Sequence, residues 1–180
     1  MSEPDLSEKL VQLHVALDGA GMPHAFGGAI ALAYYAEPRA TIDIDINVLA
    51  SPAEHERLAA AFTPLGVQMS LTTDATADGQ LRCWWGRTPI DVFYSYDPFH
   101  DAMRAAVKLV PFGQTEIPIL SVEHLIVCKV LFNRSRDWVD IEAILEGDRD
   151  VDRKEIGRWL DRFLAADDPR ITRFEGLVRR

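Results

Sequence analysis

A chain of 180 residues with 48% hydrophobic composition is long enough for one domain, or for a core domain with a helical appendage, and too apolar for intrinsic disorder. Its net charge of −9 argues against broad nonspecific binding to nucleic acid. The longest apolar run, LIVCKVLF at 125–132, is broken by Lys129, so no membrane span is expected. The acidic start MSEPDLSEKL has no apolar signal core, so the expected location is the cytoplasm.

In chain order, Leu6, Leu10, Leu13 and Leu17 recur at helical spacing and predict a helix over 6–18 that ends at Gly19 and Gly21. MPHAF at 22–26 reads as a short strand, and GGAIALAYYA at 27–36 opens a second helix. The segment TIDIDINVL at 41–49 alternates at period two, which predicts a strand with Ile42, Ile44 and Ile46 on one face. Asp43 and Asp45 then share the opposite face, roughly 7 Å apart along the strand. Ser51, Pro52 and Glu54 form a capping-box arrangement for a helix to about Thr63, followed by a strand over 67–72. QLRCWWG at 80–86 and TPIDVFYS at 88–95 read as paired strands across a tight turn. Asp97-Pro98 opens a short helix, and Pro111, Gly113 and Pro118 punctuate two short strands. Helices follow over 121–133, 136–146, 152–166 and 170–178.

This order predicts an α/β (α+β) fold, with a mixed sheet and flanking helices in residues 1–120 and a helical region in 121–180. Charge follows the same division. Residues 1–128 hold 7 Lys/Arg and 16 Asp/Glu, whereas residues 129–180 hold 12 of each, so any polyanion is expected at the C-terminal helices. Cys83 and Cys128 lie in apolar surroundings without metal-ligand spacing and read as two buried thiols.

Four features carry candidate chemistry. Gly27-Gly28, between a strand and a helix, is either a tight turn or a place where the backbone approaches an anion such as phosphate. Asp43 and Asp45 are either a solvated edge or a two-carboxylate platform for a divalent cation, which takes oxygen ligands from carboxylates and phosphates. Asp91 alternates with Ile90 and Val92, so it too faces away from a buried row and can meet the other two acids. Lys129 interrupts an apolar helix face and is either a snorkelling side chain or a functional cation. Asp137 and Asp140, three apart, are placed to pair with Arg134 and Arg136.

Together, FGGAIALAYYAEPRATIDIDI and PIDVF resemble the nucleotidyltransferase superfamily that includes DNA polymerase beta. The later Lys129 and RSRDWVDI at 134–141, with RATIDIDI upstream, are similar to abortive-infection-type nucleotidyltransferase toxins; the likeness covers residues 22–145. It implies that Asp43, Asp45 and Asp91 hold Mg²⁺ (or Mn²⁺), with Asp91 also activating the acceptor. Gly27 and Gly28 would cradle the triphosphate of an NTP, and Lys129 would neutralise phosphate charge. Arg39, Thr41, Arg136 and Asp140 would complete the nucleotide site. The expected product is a nucleoside monophosphate joined to an acceptor hydroxyl, with pyrophosphate leaving. The acceptor is tRNA, with an antitoxin protein as partner, or a small aminoglycoside-like molecule. The chain departs from the family in having Gly-Gly where Gly-Ser is frequent. A non-catalytic nucleotide-binding module is the remaining alternative, and three converging carboxylates argue against it.

Overall fold

The computed structural model describes residues 3–69 and 79–179. The chain divides into two compact units: Met1–Ile30 with Ala40–Leu120, and Ala31–Arg39 with Ser121–Arg180. Among the described residues, the first unit holds a seven-stranded sheet.

Helix α1 (Leu6–Gly19) opens with a reciprocal capping box between Asp5 and Glu8 and buries Leu10, Leu13 and Leu17. One side chain that the leucine pattern does not foretell is also buried. The Lys9 amine donates to the Trp85 carbonyl at 3.0 Å and the Thr88 hydroxyl at 2.9 Å, tying α1 to the sheet. Strand β1 (His24–Phe26) leads into α2 (Gly28–Leu32). This helix is shorter than the expected 27–36: Tyr34 and Tyr35 donate to the Ala31 and Leu32 carbonyls as turns. Five residues are too few for the helix-terminus field invoked for phosphate binding.

Strand β2 spans Ile44–Val48 rather than 41–49. Its antiparallel partner β1 pairs Phe26 with Ile46, and the Gly27 N–H then reaches the Asp45 carbonyl, where the ladder with that edge ends. Residues 41–43 lie outside the strand, so Ile42 is 78% exposed while Ile44 and Ile46 are fully buried. The Ser51 hydroxyl caps a 3-10 turn (Pro52–Glu54) that runs into α3 (His55–Phe62). Of the strand expected over 67–72, β3 takes Gln68–Met69, Val67 precedes it, and residues 70–72 lie outside the described residues.

Strands β4 (Gln80–Trp85) and β5 (Thr88–Tyr94) form a hairpin in which Trp85 opposes Thr88. The two-residue turn uses Gly86 at φ +60°, the left-handed conformation that such hairpins require. Helix α4 (Pro98–Ala105) is capped by Asp97, and a second hairpin joins β6 (Lys108–Phe112) to β7 (Thr115–Ile119). The sheet order is β3-β4-β5-β2-β1-β7-β6. Pairing is parallel for β2 with β5 and for β1 with β7, and antiparallel elsewhere.

Beyond its 31–39 segment, the described part of the second unit is helical. Helix α5 (Val122–Phe132) is apolar around most of its circumference, the pattern of a buried helix, and packs on α6 (Ser135–Glu146) and α7 (Arg153–Phe163). It ends at Asn133, whose φ of +56° stops the helix and whose side chain accepts from the Trp138 indole at 2.7 Å. Helix α8 (Pro169–Val178) starts on the Asp168 cap and packs on α6. No described helix is long and apolar enough to cross a membrane. Cys83 is buried, whereas Cys128 is only half-buried, which corrects the expectation of two buried thiols. Burial, followed by the nearby Asp91 charge, pushes the Cys83 thiol up to about 12.

Candidate active site

One row of residues crosses the middle of the sheet in the first unit. Arg82 on β4 is in register with Asp91 on β5, and Asp91 is in register with Asp45 on β2. Beyond Asp45 lies Gly27, whose N–H donates to the Asp45 carbonyl at 2.9 Å. Neighbouring strands are about 4.8 Å apart, so residues in register carry their side chains side by side on one face. The local pattern explains the direction. Ile44 and Ile46 flank Asp45, Ile90 and Val92 flank Asp91, and all four apolar side chains are fully buried. Period-two alternation therefore drives both carboxylates to the opposite face.

The glycine pair is fitted to this row. Gly28 has φ +50°, and a Cβ there would sit 1.7 Å from the Asp45 carboxylate oxygen Oδ2. Any side chain at this position would evict Asp45. At Gly27 a Cβ would press on the Asn47 amide at 3.0 Å. Asn47 is buried two residues beyond Asp45. Gly27-Gly28 is thus a close approach of backbone to an acid, which goes beyond a turn requirement.

Asp91 is 6% exposed, and both its oxygens are engaged by Arg82: Nε donates to Oδ1 at 2.7 Å and Nη2 to Oδ2 at 2.6 Å. The hydrogen bond and charge of Asp91, reinforced by Asp43 and Asp45, raise the Arg82 pKa above its ordinary value. Arg82 was not among the residues singled out in the sequence. Its one signal there is period-two alternation in QLRCWW, which exposes Gln80, Arg82 and Trp84 while burying Leu81, Cys83 and Trp85. Which acid it would meet depends on strand register, and register is not written in one strand.

Asp43 stands two residues before Asp45, outside the strand, and its carboxylate takes a short hydrogen bond from the Thr41 hydroxyl. Among the described residues, no group of three or more His, Cys, Asp or Glu side chains is arranged to hold an ion. The structure therefore brings Asp45 and Asp91 into register but does not gather all three acids around one point. The donor chemistry still suits a hard divalent cation. Mg²⁺ is characteristically held by one or two carboxylates together with substrate phosphates, and two carboxylates in register on one sheet face meet that need.

The other expected residues lie in the second unit, where they form their own charge cluster. Asp140, 5% exposed, accepts from Arg39 Nε and Nη2 at 3.1 Å each and from the Lys129 amine at 2.6 Å. Lys129 also stands 3.6 Å from Asp137. Asp137 is fully buried and accepts from the Arg134 side chain at 2.7 Å and from its backbone N–H at 3.1 Å. Lys129 is 3% exposed, so it does not snorkel to solvent. Burial alone would raise the Asp140 carboxyl, but hydrogen bonds from Arg39 and Lys129 outweigh it and hold the group below its ordinary value. Arg136 is exposed on α6.

Residues 13–177 match the family described as nucleotidyl transferase AbiEii toxin of a type IV toxin–antitoxin system. No curated protein sequence matches the chain. Among solved structures, a nucleotidyltransferase-like antigenic protein from Paracoccidioides brasiliensis aligns with TM-score 0.59 and 16% identity, over 97% of this chain and 94% of that one. The antibiotic-resistance factor ANT(2'')-Ia aligns with TM-score 0.55 and 17% identity, over 95% and 88%. The lincosamide adenylyltransferase LnuA, bound to lincomycin, aligns with TM-score 0.54 and 11% identity, over 81% and 99%. At such identities the structural likeness carries the fold alone.

Proposed function

The chain belongs to the AbiEii family of nucleotidyl transferase toxins and is thus a nucleotidyl transfer enzyme, and from that premise we propose that it moves an NMP from an NTP to an acceptor hydroxyl on tRNA, using Mg²⁺. The observation that carries the site assignment is the register of Asp45 with Asp91 on parallel neighbouring strands, with Gly28 pressed against Asp45.

In this reading Asp45 and Asp91 hold the cation, and Asp43, released from Thr41, joins them. The cation, when bound, would polarise the transferring phosphoryl group and neutralise charge developing on it. The chain's own residues do the rest. Ile44, Ile46, Ile90 and Val92 anchor the acids in one orientation, which is the positioning that phosphoryl transfer chiefly requires. A carboxylate of this set takes the proton from the attacking hydroxyl, the role assigned to Asp91. Gly27 and Gly28 leave room for the triphosphate to approach backbone. Thr41 sets Asp43. A partner antitoxin is part of the same proposal, as the family description speaks of a toxin–antitoxin system.

A second reading keeps the chemistry and changes the acceptor. With 14 acids against 6 basic residues over 1–30 and 40–120, the sheet unit suits a small cationic acceptor better than a polyanion. The structural neighbour ANT(2'')-Ia, an antibiotic-resistance factor, was solved in complex with adenylyl-2''-tobramycin, and LnuA is a lincosamide antibiotic adenylyltransferase. One experiment separates the two. The protein is incubated with Mg²⁺ and each radiolabelled NTP, with total tRNA or with a panel of aminoglycosides, beside Asp45→Asn and Asp91→Asn. Label in tRNA that both variants lose by ~10²-fold or more supports the toxin reading. Label in an aminoglycoside alone replaces it with the second. Label in neither, with NTP still bound, leaves a non-catalytic nucleotide module.

A further inference from the structure

We propose that Arg82 is the resident counter-cation of the carboxylate row and competes with the incoming divalent cation for Asp91, so that loading the site requires the guanidinium to let go. This inference rests on the reading of Asp45 and Asp91 as metal ligands and adds what controls their occupancy.

The geometry points this way on three counts. Asp91 is almost wholly buried and in register with the half-buried Asp45, so two like charges face each other across one strand spacing, one of them largely out of water. Next, the guanidinium engages Asp91 in a two-pronged fork, one N–H to each oxygen, which is the strong form of an arginine–carboxylate pair. A divalent cation on the same carboxylate would bring two positive charges within a few ångströms of each other. Finally, the two partners are unequal in freedom: the Asp91 side chain is 9% exposed and the Arg82 side chain 57%. Asp91 is fixed between Ile90 and Val92, whereas Arg82 can rotate into solvent without dragging its strand. A salt bridge with one fixed and one mobile partner is suited to exchange.

Arg82 is here a positioning residue, acting through Asp91. The proposal makes a prediction opposite in sign to a merely structural role. Binding of MnCl₂ alone, without nucleotide, is followed by electron paramagnetic resonance in the wild type, Arg82→Lys and Arg82→Gln. Affinity should rise in that order, with Arg82→Gln tighter by roughly tenfold or more, the weight of a charge-assisted hydrogen bond no longer competed for. In thermal melts, metal-free Arg82→Gln should unfold below the wild type, and Mn²⁺ should raise its midpoint by more than it raises the wild type's. An Mn²⁺ affinity in Arg82→Gln equal to or weaker than the wild type's overturns the proposal. Should Asp45→Asn and Asp91→Asn both bind Mn²⁺ as well as the wild type, the assignment of those acids as ligands fails, which is a distinct result. The melts keep the question decidable if Arg82→Gln is unstable, because a mere fold defect would not be repaired preferentially by the cation.

Discussion

At Gly28 the chain does something that no other residue type can do. The φ of +50° is one reason, costing a side chain about 1 kcal/mol, and the 1.7 Å approach of a would-be Cβ to the Asp45 carboxylate is the other. Gly28→Ala should therefore lower stability by about 1–3 kcal/mol in denaturant titration and also displace Asp45, so transfer activity should fall far more than stability accounts for. Gly27→Ala meets the end of the Asn47 amide, which can shift, and should be the milder of the two in both assays. The same scale explains why the acids were legible and Arg82 was not. Ile44-Asp45-Ile46 and Ile90-Asp91-Val92 each declare which way the acid points, because burial of the flanking apolar side chains turns the acid to the other face. An arginine between Leu81 and Cys83 says only that it faces away from the core.

Among elements, α5 shows how a charge is accommodated in an apolar helix. Lys129 lies among buried Ile126, Val127 and Val130, and its amine meets Asp140 and Asp137. Breaking a buried pair by removing one partner is costly, so Lys129→Met should destabilise the protein by about 3 kcal/mol, read from urea midpoints. Asp140 adds a pH signature. Its folded-state carboxyl is held below 3.8, so its contribution to stability is present above that pH and is lost as pH falls through the lowered value. Asp140→Asn should therefore flatten the acid limb of the stability curve below about pH 4. Helices α6, α7 and α8 agree closely with the sequence pattern because each starts on a recognisable signal: the Asp152 cap, the Asp168-Pro169 start, and Asp137 reaching back to the Arg134 N–H. Helix α2 departed from it, since a run of alanines and tyrosines carries no stop signal and the chain leaves the first unit within it, at Ile30.

For the molecule as a whole, three histidines set the response to mild acid. His24, His100 and His124 are each held below 6.5 chiefly by burial. A neutral group that must take up a proton on unfolding makes stability complete above its unfolded pKa and erodes it as pH falls through 6.5. The melting temperature should thus drop between pH 7 and pH 5. His24→Asn, which keeps a donor for the Met22 carbonyl while removing the titration, should reduce that drop. A melting temperature unchanged over this range would refute the assignment.

What the sequence by itself determined is what short-range patterning can encode: the kind of nearly every element, the direction of Asp45 and Asp91, and the resemblance that led to the nucleotidyltransferase family. It also proposed a third strand acid, and there the pattern overreached: Ile42 and Asp43 alternate as a strand does, but the ladder with β5 begins only at the Ile44–Ile90 pair, and the residue before Ile90 is Pro89, which has no N–H to donate. Only the tertiary structure decided who stands beside whom. That Asp45 is opposite Asp91, that Arg82 grips Asp91, and that Lys129 and Arg39 share Asp140 all follow from strand register and helix packing. The physical reason is that periodicity reports the environment of a side chain, in or out, whereas a site is made of pairwise distances between segments far apart in the chain.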